Sequence, residues 1–338
     1  MALHILGDPH FSSLQPWRLP LGDAFLQWFE KYNPGPKDQN SFLCLGDYAD
    51  GSILPGYEIA QLKRFIDIAT AKFSNVYFLV GNHDLKLYKN LPQLSFEFAT
   101  QDGVKILREP AEVLSIEGLR ILSLPHYNYR VDIPTMADYY ANLPQAIKDQ
   151  AYDIVVGHFS DTSAQLFDRM IDISYLHASH IVLGHQHIRT SSHYTGSLFP
   201  CKISEVVSPA PRAVWVYNKE GNAVTKKEVP LPIFIEYKTV EYPKPLPVSQ
   251  AAVTVYSIFG CESEKIAQDF YGDVFIKEVT TSGNTKRITN PTSSDDTFDA
   301  IDPVTVFSEW MKTAKEPVSR PVASIIKKLL AKNTPPSP

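Results

Sequence analysis

The sequence lacks the features of a membrane-spanning or disulfide-stabilised protein. Its 338 residues contain no apolar run that approaches the roughly 18 residues needed to span a bilayer. Residues 1–6 have no basic segment and form an apolar run at once, so no signal peptide is expected. Cys44, Cys201 and Cys261 are odd in number and far apart, which predicts neither a disulfide framework nor a zinc site. These absences predict a cytoplasmic protein with no membrane partner, or one of the host cytoplasm if its source is a virus.

The sequence also lacks a concentration of positive charge. Its formal net charge is −5, and it contains no long run of lysine and arginine. A general surface for binding polyanions is therefore not expected. If the substrate is a nucleic acid, local patches and the charge of bound metal ions must hold it.

Short apolar runs alternate with helical patterns in the first 80 residues. Residues 2–6, 41–45 and 76–80 are apolar runs of the length that buried strands have. Apolar residues recur at helical spacing in residues 21–32 and 59–73. The order strand, helix, strand, helix, strand predicts an α/β fold with parallel strands and crossover helices.

After residue 84 the pattern changes to short alternating runs separated by turn residues. Such runs are typical of strands in a second, mixed sheet. Two layered sheets flanked by helices are the expected core, which ends near residue 229. The expected elements are strands at 104–107, 111–116, 119–124, 154–156 and 181–183, helices at 139–149 and 164–170, and a hairpin of 212–217 with 223–229.

Prolines at 230 and 232 mark a boundary after this core. The predicted domains are a main domain (1–229), a small α/β domain (230–282), a flexible linker (283–302) and carboxyl-terminal helices (303–338). The last helix is amphipathic, and its apolar stripe is either a surface for a partner protein or a face that packs on the chain's own core. That stripe consists of Val322, Ile325, Ile326, Leu329 and Leu330.

Five of the predicted strands end in a glycine that is followed by residues of the metal-ligand type. In open α/β sheets the ligand site lies beyond the carboxyl ends of the strands, so these five ends are expected to form one site. The five motifs are Gly7-Asp8-Pro9-His10, Gly46-Asp47-Tyr48-Ala49-Asp50, Gly81-Asn82-His83-Asp84, Gly157-His158 and Gly184-His185-Gln186-His187.

The motifs supply seven oxygen or nitrogen ligands and no thiolate. That set suits two divalent cations, with Mn²⁺ favoured and Mg²⁺, iron or zinc as alternatives. Two ions on seven residues need a shared ligand, and the two carboxylate oxygens of Asp47 can each bind one ion. The predicted ligands are Asp8, His10, Asp47, Asn82, His158, His185 and His187.

Two further residues of the motifs are candidates for roles in catalysis. His83 follows a predicted ligand directly, so it is expected to face away from that ion and to donate a proton to the leaving oxygen. Asp50 is expected to accept the other imidazole N–H of His83, or else to act only as a loop cap. Asp84 is a candidate for a carboxylate that supports the ligands from behind.

The ordered set of five motifs resembles the signature of the calcineurin-like metallophosphoesterases over about residues 4–190. The resemblance implies a four-layer α-β-β-α sandwich that hydrolyses phosphoesters with two metal ions, and it makes His83 catalytic. It places Asp8, His10 and His187 on one metal, and Asn82, His158 and His185 on the other, with Asp47 shared.

Within that superfamily the chain is most similar to the SbcD-type DNA repair nucleases and their phage recombination-endonuclease relatives. The similarity rests on residues 122–128, residues 194–197 and the small α/β unit after Pro232. It implies an exonuclease and endonuclease that acts on DNA, with the small unit as a DNA-capping domain. It also implies a homodimer whose last helix docks on an SMC-like ATPase of the SbcC type.

Two other function classes remain open on the sequence alone. A phosphodiesterase or phosphatase for small molecules, such as cyclic nucleotides, would use the same ligands without needing the residues after 232. A protein Ser/Thr phosphatase is less favoured, because Gly51 and Ser52 follow Asp50 where that group has Arg-Gly. The third class is an assembly subunit with an inactive site, and the completeness of the ligand set argues against it.

Overall fold

The computed structural model describes residues 1–280, apart from residues 16, 52–53, 89–90, 98–102, 127–135, 163–169, 203–204, 207–210 and 273. Most of the helix expected at 164–170 lies outside the described residues, as do the linker and the carboxyl-terminal helices. The stripe of Val322, Ile325, Ile326, Leu329 and Leu330 therefore stays a prediction, and so does the division into domains. No helix within the described part of the chain has both the length and the apolar character to span a membrane.

Fifteen strands and five α-helices make up the described part of the chain, with a 3₁₀ turn at Lys37–Gln39. In chain order they are β1 (Ala2–Leu6), α1 (Leu19–Lys31), β2 (Asn40–Cys44), α2 (Gly56–Lys72), β3 (Asn75–Leu79), β4 (Leu85–Tyr88), β5 (Leu91–Leu94), β6 (Val104–Leu107), β7 (Glu112–Ile116), β8 (Leu119–Leu124), α3 (Met136–Ala141), α4 (Gln145–Lys148), β9 (Ala151–His158), β10 (His177–Gly184), β11 (Ala213–Glu220), β12 (Ala223–Pro230), β13 (Ile235–Glu241), β14 (Val253–Phe259), α5 (Glu264–Tyr271) and β15 (Phe275–Thr280).

The first sheet has six strands in the order β12-β11-β1-β2-β3-β6. Strands β1, β2, β3 and β6 are parallel, and β11 pairs antiparallel with β1 and with β12. The predicted parallel start and the predicted hairpin are both confirmed. The prediction for residues 104–107 is wrong, because β6 pairs with β3 in the first sheet and not with the second sheet.

The second sheet has four strands in the order β10-β9-β8-β7. Strands β8, β9 and β10 are parallel and β7 is antiparallel to β8, so the sheet is mixed, as predicted. The two sheets bury a shared apolar cluster, to which β1 contributes Leu3 and Ile5 and β9 contributes Ile154 and Val156. The alternation of side chains along each strand sends the intervening residues to the opposite face.

Helices cover the outer face of each sheet and complete the four-layer α-β-β-α sandwich. Phe25 and Phe29 of α1 and Phe65 of α2 are fully buried against the first sheet. Tyr140 of α3 is buried against the second sheet. The single helix expected at 139–149 is two short helices, because the extended conformation of Pro144 (ψ 140°) interrupts the helical backbone between them.

A separate three-stranded parallel sheet, β13-β14-β15, follows the sandwich, and α5 connects its last two strands. Ser263 caps α5 by accepting a hydrogen bond from the backbone N–H of Ile266 (3.3 Å). Phe234, just before β13, packs against Phe25 of α1 and against Phe199. The sequence pattern predicts strands at 233–240, 252–259 and 273–280 and a helix at 263–270. All four are present, within two residues at each end.

Candidate metal centre

The carboxyl ends of five parallel strands meet at one edge of the sandwich. Three of them, β1, β2 and β3, are neighbours in the first sheet, and β9 and β10 are neighbours in the second. The seven predicted ligands lie on or directly after these strand ends. Contacts across the two sheets connect them: the backbone N–H of His185 donates to Asp8 Oδ2 (2.7 Å), and His158 Nδ1 lies 2.6 Å from the carbonyl oxygen of Leu45.

One group of potential metal ligands consists of Asp47, Asn82, His158 and His185. Asn82 Oδ1 lies 3.0 Å from His158 Nε2 and 2.9 Å from His185 Nδ1, and His158 Nε2 lies 3.2 Å from Asp47 Oδ2. The carbonyl of Leu45 can only accept, so the proton of a neutral His158 ring is on Nδ1. Nε2 of His158 is then left with a lone pair directed at the group.

A second group consists of Asp8, His10 and Asp47, whose ligand atoms lie within 4.8 Å of one another. His10 Nε2 lies 3.6 Å from Asp47 Oδ2, and the ring of His187 packs edge-on against that of His10. Asp47 belongs to both groups, which is the position that a shared carboxylate requires. The geometry therefore brings all seven predicted ligands into two adjoining groups around Asp47.

Two buried atoms in the second group have no partner among the described residues. Asp8 Oδ1 and His10 Nε2 are both inaccessible to solvent, and neither makes a hydrogen bond with any residue that the structure describes. Leaving such atoms unsatisfied costs about 1–3 kcal/mol each. Because both are strong metal-ligand atoms, a divalent cation beside them would satisfy both, and the donor set fits that ion.

Three of the predicted ligands have backbone conformations that residues other than glycine rarely adopt. The φ angles are 47° at His10, 50° at Asp47 and 79° at His185. Positive φ at a non-glycine residue costs on the order of 1–3 kcal/mol and is concentrated at functional sites. Hydrogen bonds hold two of these residues in place, because His10 N donates to the carbonyl of Asp47 and His185 N donates to Asp8.

Glycine precedes the ligands because the strand ends approach one another closely. A Cβ atom on Gly81 would collide with the backbone and the carboxylate of Asp47. A Cβ atom on Gly184 would collide with the carboxylate of Asp8 and the ring of His158. These glycines therefore let side chains from different strands reach the same small volume.

Asp84 supports the centre through the backbone. Its buried carboxylate accepts hydrogen bonds from the N–H groups of Asp47 (2.8 Å), Tyr48 (3.0 Å) and Gly81 (2.7 Å). One side chain thus holds the loops after β2 and β3, which carry the shared carboxylate and Asn82. This is the supporting position that the sequence predicts for Asp84.

The carboxylate of Asp50 contacts a different histidine from the one expected. Its carboxylate lies 3.1 Å from Nδ1 of His10 and accepts a hydrogen bond from Arg18, whereas its backbone carbonyl lies 2.5 Å from Nδ1 of His83. The reason is that Arg18 holds the carboxylate on the His10 side. Burial by itself raises the pKa of Asp50, but His10 and Arg18 lower it to about 2.

His83 is more exposed than His10, His158 and His187. Its side chain is 37% exposed, whereas those of His10 and His158 are at most 1% exposed. Because a carbonyl only accepts, Nδ1 of His83 is the donor to Asp50. Nε2 then faces the ligands, 4.0 Å from Asp47 Oδ2.

Three residues at the centre lie outside the motifs, and the sequence patterns do not identify them. Arg18 is buried and bridges Asp50 to the carbonyl oxygen of His10. Glu205 lies 3.2 Å from His187 Nδ1, and Cys201 lies close to His10 and His187. Each belongs to a segment without periodic pattern, so no local signal identifies it. The prediction that the cysteines take no part in a metal site does not anticipate the position of Cys201.

The buried charges of the centre shift one another's pKa values. Burial raises the pKa of Asp8 to about 6. Burial also raises that of Asp47, but His158 and His10 hold it well below its usual range. Burial lowers the pKa of His158, but the carboxylates of Asp47 and Asp8 raise it to about 9. Because these ligands bind a cation only when deprotonated, metal binding at the centre competes with protons.

One comparison with known proteins identifies the family of the chain. The profile of the Calcineurin-like phosphoesterase family matches residues 1–189, more than half of the chain. No curated protein sequence gives a significant match. Among solved structures, the chain is similar to a single mutant of Vps29 from Entamoeba histolytica (16% identity, TM-score 0.31), which covers 69% of this chain and 100% of its own. An archaeal phosphodiesterase (12% identity, TM-score 0.34) covers 68% of this chain and 100% of its own.

A third similar structure is a protein of unknown function from Aquifex aeolicus (14% identity, TM-score 0.28), which covers 52% of this chain and 87% of its own. The family match spans all five motifs, and its members bind divalent metals, for which the two groups around Asp47 offer ligands. The protein belongs to the calcineurin-like phosphoesterase family, whose members are metal-dependent hydrolases of phosphoester bonds.

Proposed function

We propose that this protein is a two-metal-dependent DNA nuclease, with exonuclease and endonuclease activity. The observation that carries the proposal is the position of Asp47 between two groups of ligands, with His83 beside them. Two-metal centres of this kind cleave phosphodiesters by in-line displacement. In this proposal Asp8, His10, Asp47 and His187 hold one ion, and Asp47, Asn82, His158 and His185 hold the other.

The bound cations, Mn²⁺ in this proposal, would neutralise the charge of the phosphate and make the attacking water acidic. The residues of the chain have separate tasks. Asp47 and Asp84 fix the separation of the two groups of ligands, because the carboxylate of Asp84 accepts a hydrogen bond from the backbone N–H of Asp47. Asp50 is a positioning residue, since its carboxylate orients His10 and its carbonyl orients His83.

His83 is the proposed proton donor to the leaving oxygen. With Nδ1 hydrogen-bonded to Asp50, the protonated ring presents an N–H at Nε2 on the side of Asp47. Its exposure lets a polymer substrate reach the ring, whereas the ligands Asp8, His10, Asp47 and His158 are buried. A positioned general acid of this kind contributes about 10²–10⁴-fold to the rate.

The choice of DNA as the substrate rests on the sequence. It is supported by the segments 122–128 and 194–197, and by the α/β unit after residue 232, which folds as β13-β14-β15 with α5. That unit is the proposed DNA-capping region. Pairing with an SMC-like ATPase through the last helix, and formation of a homodimer, belong to the same proposal.

A nuclease assay with a histidine pair tests the proposal. The wild type with Mn²⁺ should degrade linear duplex DNA, and His83→Ala should lose about 10²–10⁴-fold in rate while it retains its metal content. His177→Ala is the matched control, because this histidine is exposed at the start of β10. Metal content is measured by mass spectrometry on the same samples.

Two results would contradict parts of the proposal separately. If the wild type cleaves bis-p-nitrophenyl phosphate but never DNA, even with the ATPase present, DNA is the wrong substrate and a small-molecule phosphodiesterase is the better assignment. If His83→Ala loses its metals, His83 has a structural role and not the one proposed.

A further inference from the structure

The thiol of Cys201 lies within the candidate metal centre. Its sulfur and one ring nitrogen from each of His10 and His187 all lie within 4.8 Å of one another. Cys201 is 183 residues from Arg18, and Nη2 of that arginine approaches its sulfur at 3.9 Å. The fold therefore brings a soft ligand atom to a centre whose five motifs supply only oxygen and nitrogen.

The ring nitrogens that face Cys201 follow from the other contacts of the two histidines. Nδ1 of His10 is occupied by Asp50, and Nδ1 of His187 is occupied by Glu205. Nε2 is then the ligand atom of each ring. Nε2 of His10 is buried and has no hydrogen-bond partner among the described residues, so it is available to an ion.

The backbone holds Cys201 in position. The N–H of Cys201 donates to Glu205 Oε2 (2.8 Å), and the other oxygen of the same carboxylate lies 3.2 Å from His187 Nδ1. One buried glutamate thus orients two of the three members of the group, as outer partners of metal ligands do. The guanidinium of Arg18 beside the sulfur stabilises a negative charge there.

We propose that Cys201 is an additional ligand of the first metal ion, together with His10 and His187. A thiolate selects zinc, iron or cobalt over Mn²⁺ and Mg²⁺. The first site should therefore prefer a softer ion than the Mn²⁺ proposed above, whereas the second site, with only Asp47, Asn82, His158 and His185, keeps the preference for Mn²⁺. On binding, a sulfur–metal bond forms and the thiol proton is released to solvent. The inference rests on the two-metal centre proposed above but not on DNA as the substrate.

Cobalt spectroscopy tests this ligand directly. The metal-free protein is titrated with Co²⁺, and the wild type should develop the near-ultraviolet absorption of a cobalt–thiolate bond. Cys201→Ser and Cys201→Ala should bind cobalt without that band. Cys261→Ala is the matched control, because Cys261 is equally a free cysteine but lies in the separate cluster of the small sheet.

A competition between zinc and manganese supplies a second readout. Loss of the thiolate should lower the affinity of the first site for Zn²⁺ at least about tenfold, since even loss of an outer partner costs roughly 10–100-fold, and should change Mn²⁺ binding much less. If the wild type lacks the cobalt band, if Cys201→Ser retains it, or if the zinc-to-manganese preference is unchanged, the assignment is wrong.

Alkylation of the wild type tests whether Cys201 binds the metal even if the variants fail to fold. Zn²⁺ should protect the thiol of Cys201 from iodoacetamide in the native protein, as mass spectrometry of the modified peptide would show. Equal modification with and without Zn²⁺ would overturn the proposal. None of these measurements uses nuclease activity, so their outcome is independent of the outcome of the DNA assay.

Discussion

Replacing Asp84 with asparagine should weaken the fold and the metal centre together. The carboxylate is 1% exposed and accepts three backbone hydrogen bonds, two at Oδ2 from Asp47 and Gly81 and one at Oδ1 from Tyr48. An amide has a single accepting atom. In its best orientation the amide oxygen of asparagine keeps the hydrogen bonds from Asp47 and Gly81. Its NH₂ group then points toward the N–H of Tyr48, and two donors face each other.

The magnitude follows from these contacts. Loss of one hydrogen bond to a charged acceptor costs about 1.5–3 kcal/mol, and burial of an unsatisfied N–H costs about 1–3 kcal/mol. Burial, together with the charge of Asp47, raises the pKa of Asp84 to about 7. The amide therefore also removes an unfavourable charge, which offsets part of the cost. We expect the free energy of unfolding to fall by about 2–3 kcal/mol.

Urea unfolding and metal titration of Asp84→Asn measure both effects. Metal affinity should fall about 10–100-fold, because the loops that carry Asp47 and Asn82 lose their common support. Asp67→Asn is the control, since Asp67 is 56% exposed and pairs with Lys63 on the surface of α2, where such pairs contribute less than about 1 kcal/mol. If the two variants are equally stable and bind metal equally well, Asp84 does not hold the centre together.

Two further predictions concern other contacts in the sandwich. Asp50→Asn should weaken binding at the first metal site about 10–100-fold, because its carboxylate orients His10; unchanged metal binding would show that this contact has no such role. Burial lowers the pKa of His4 to about 4. Between pH 6.5 and 4 the unfolded chain therefore binds a proton at this histidine that the native state does not bind. Stability should therefore fall by on the order of 3 kcal/mol between pH 6.5 and 4, and His4→Phe should reduce that slope in urea unfolding; an unchanged slope would count against it.

The five strand ends could be predicted because each combines two local signals, an apolar run and a glycine before polar ligands. The same locality explains the error at β6. A four-residue strand carries no information about its neighbour, and β6 pairs with β3, which lies about 28 residues earlier in the chain. Pairing of this kind is decided by which buried edge is free, and the sequence pattern alone does not record it.

Three supporting residues of the centre, unlike Asp84, could not be predicted for a related reason. Arg18, Cys201 and Glu205 acquire their partners only through contacts between distant segments, such as the contact between Arg18 and Cys201. Asp50 shows a second limit, because the same residue offers a carboxylate to His10 and a carbonyl to His83. A sequence motif names the residue but does not say which of its acceptors faces which ring.

The left-handed backbone at His10, Asp47 and His185 has a consequence for protein design. A designer who copied these three side chains onto ordinary strands or helices of another scaffold would aim them in different directions, because their orientation depends on positive φ. The transplantable unit is the strand end with its preceding glycine and the hydrogen bonds that hold the turn. Grafts that carry the whole turn should reproduce the ligand geometry, whereas grafts of side chains alone should not.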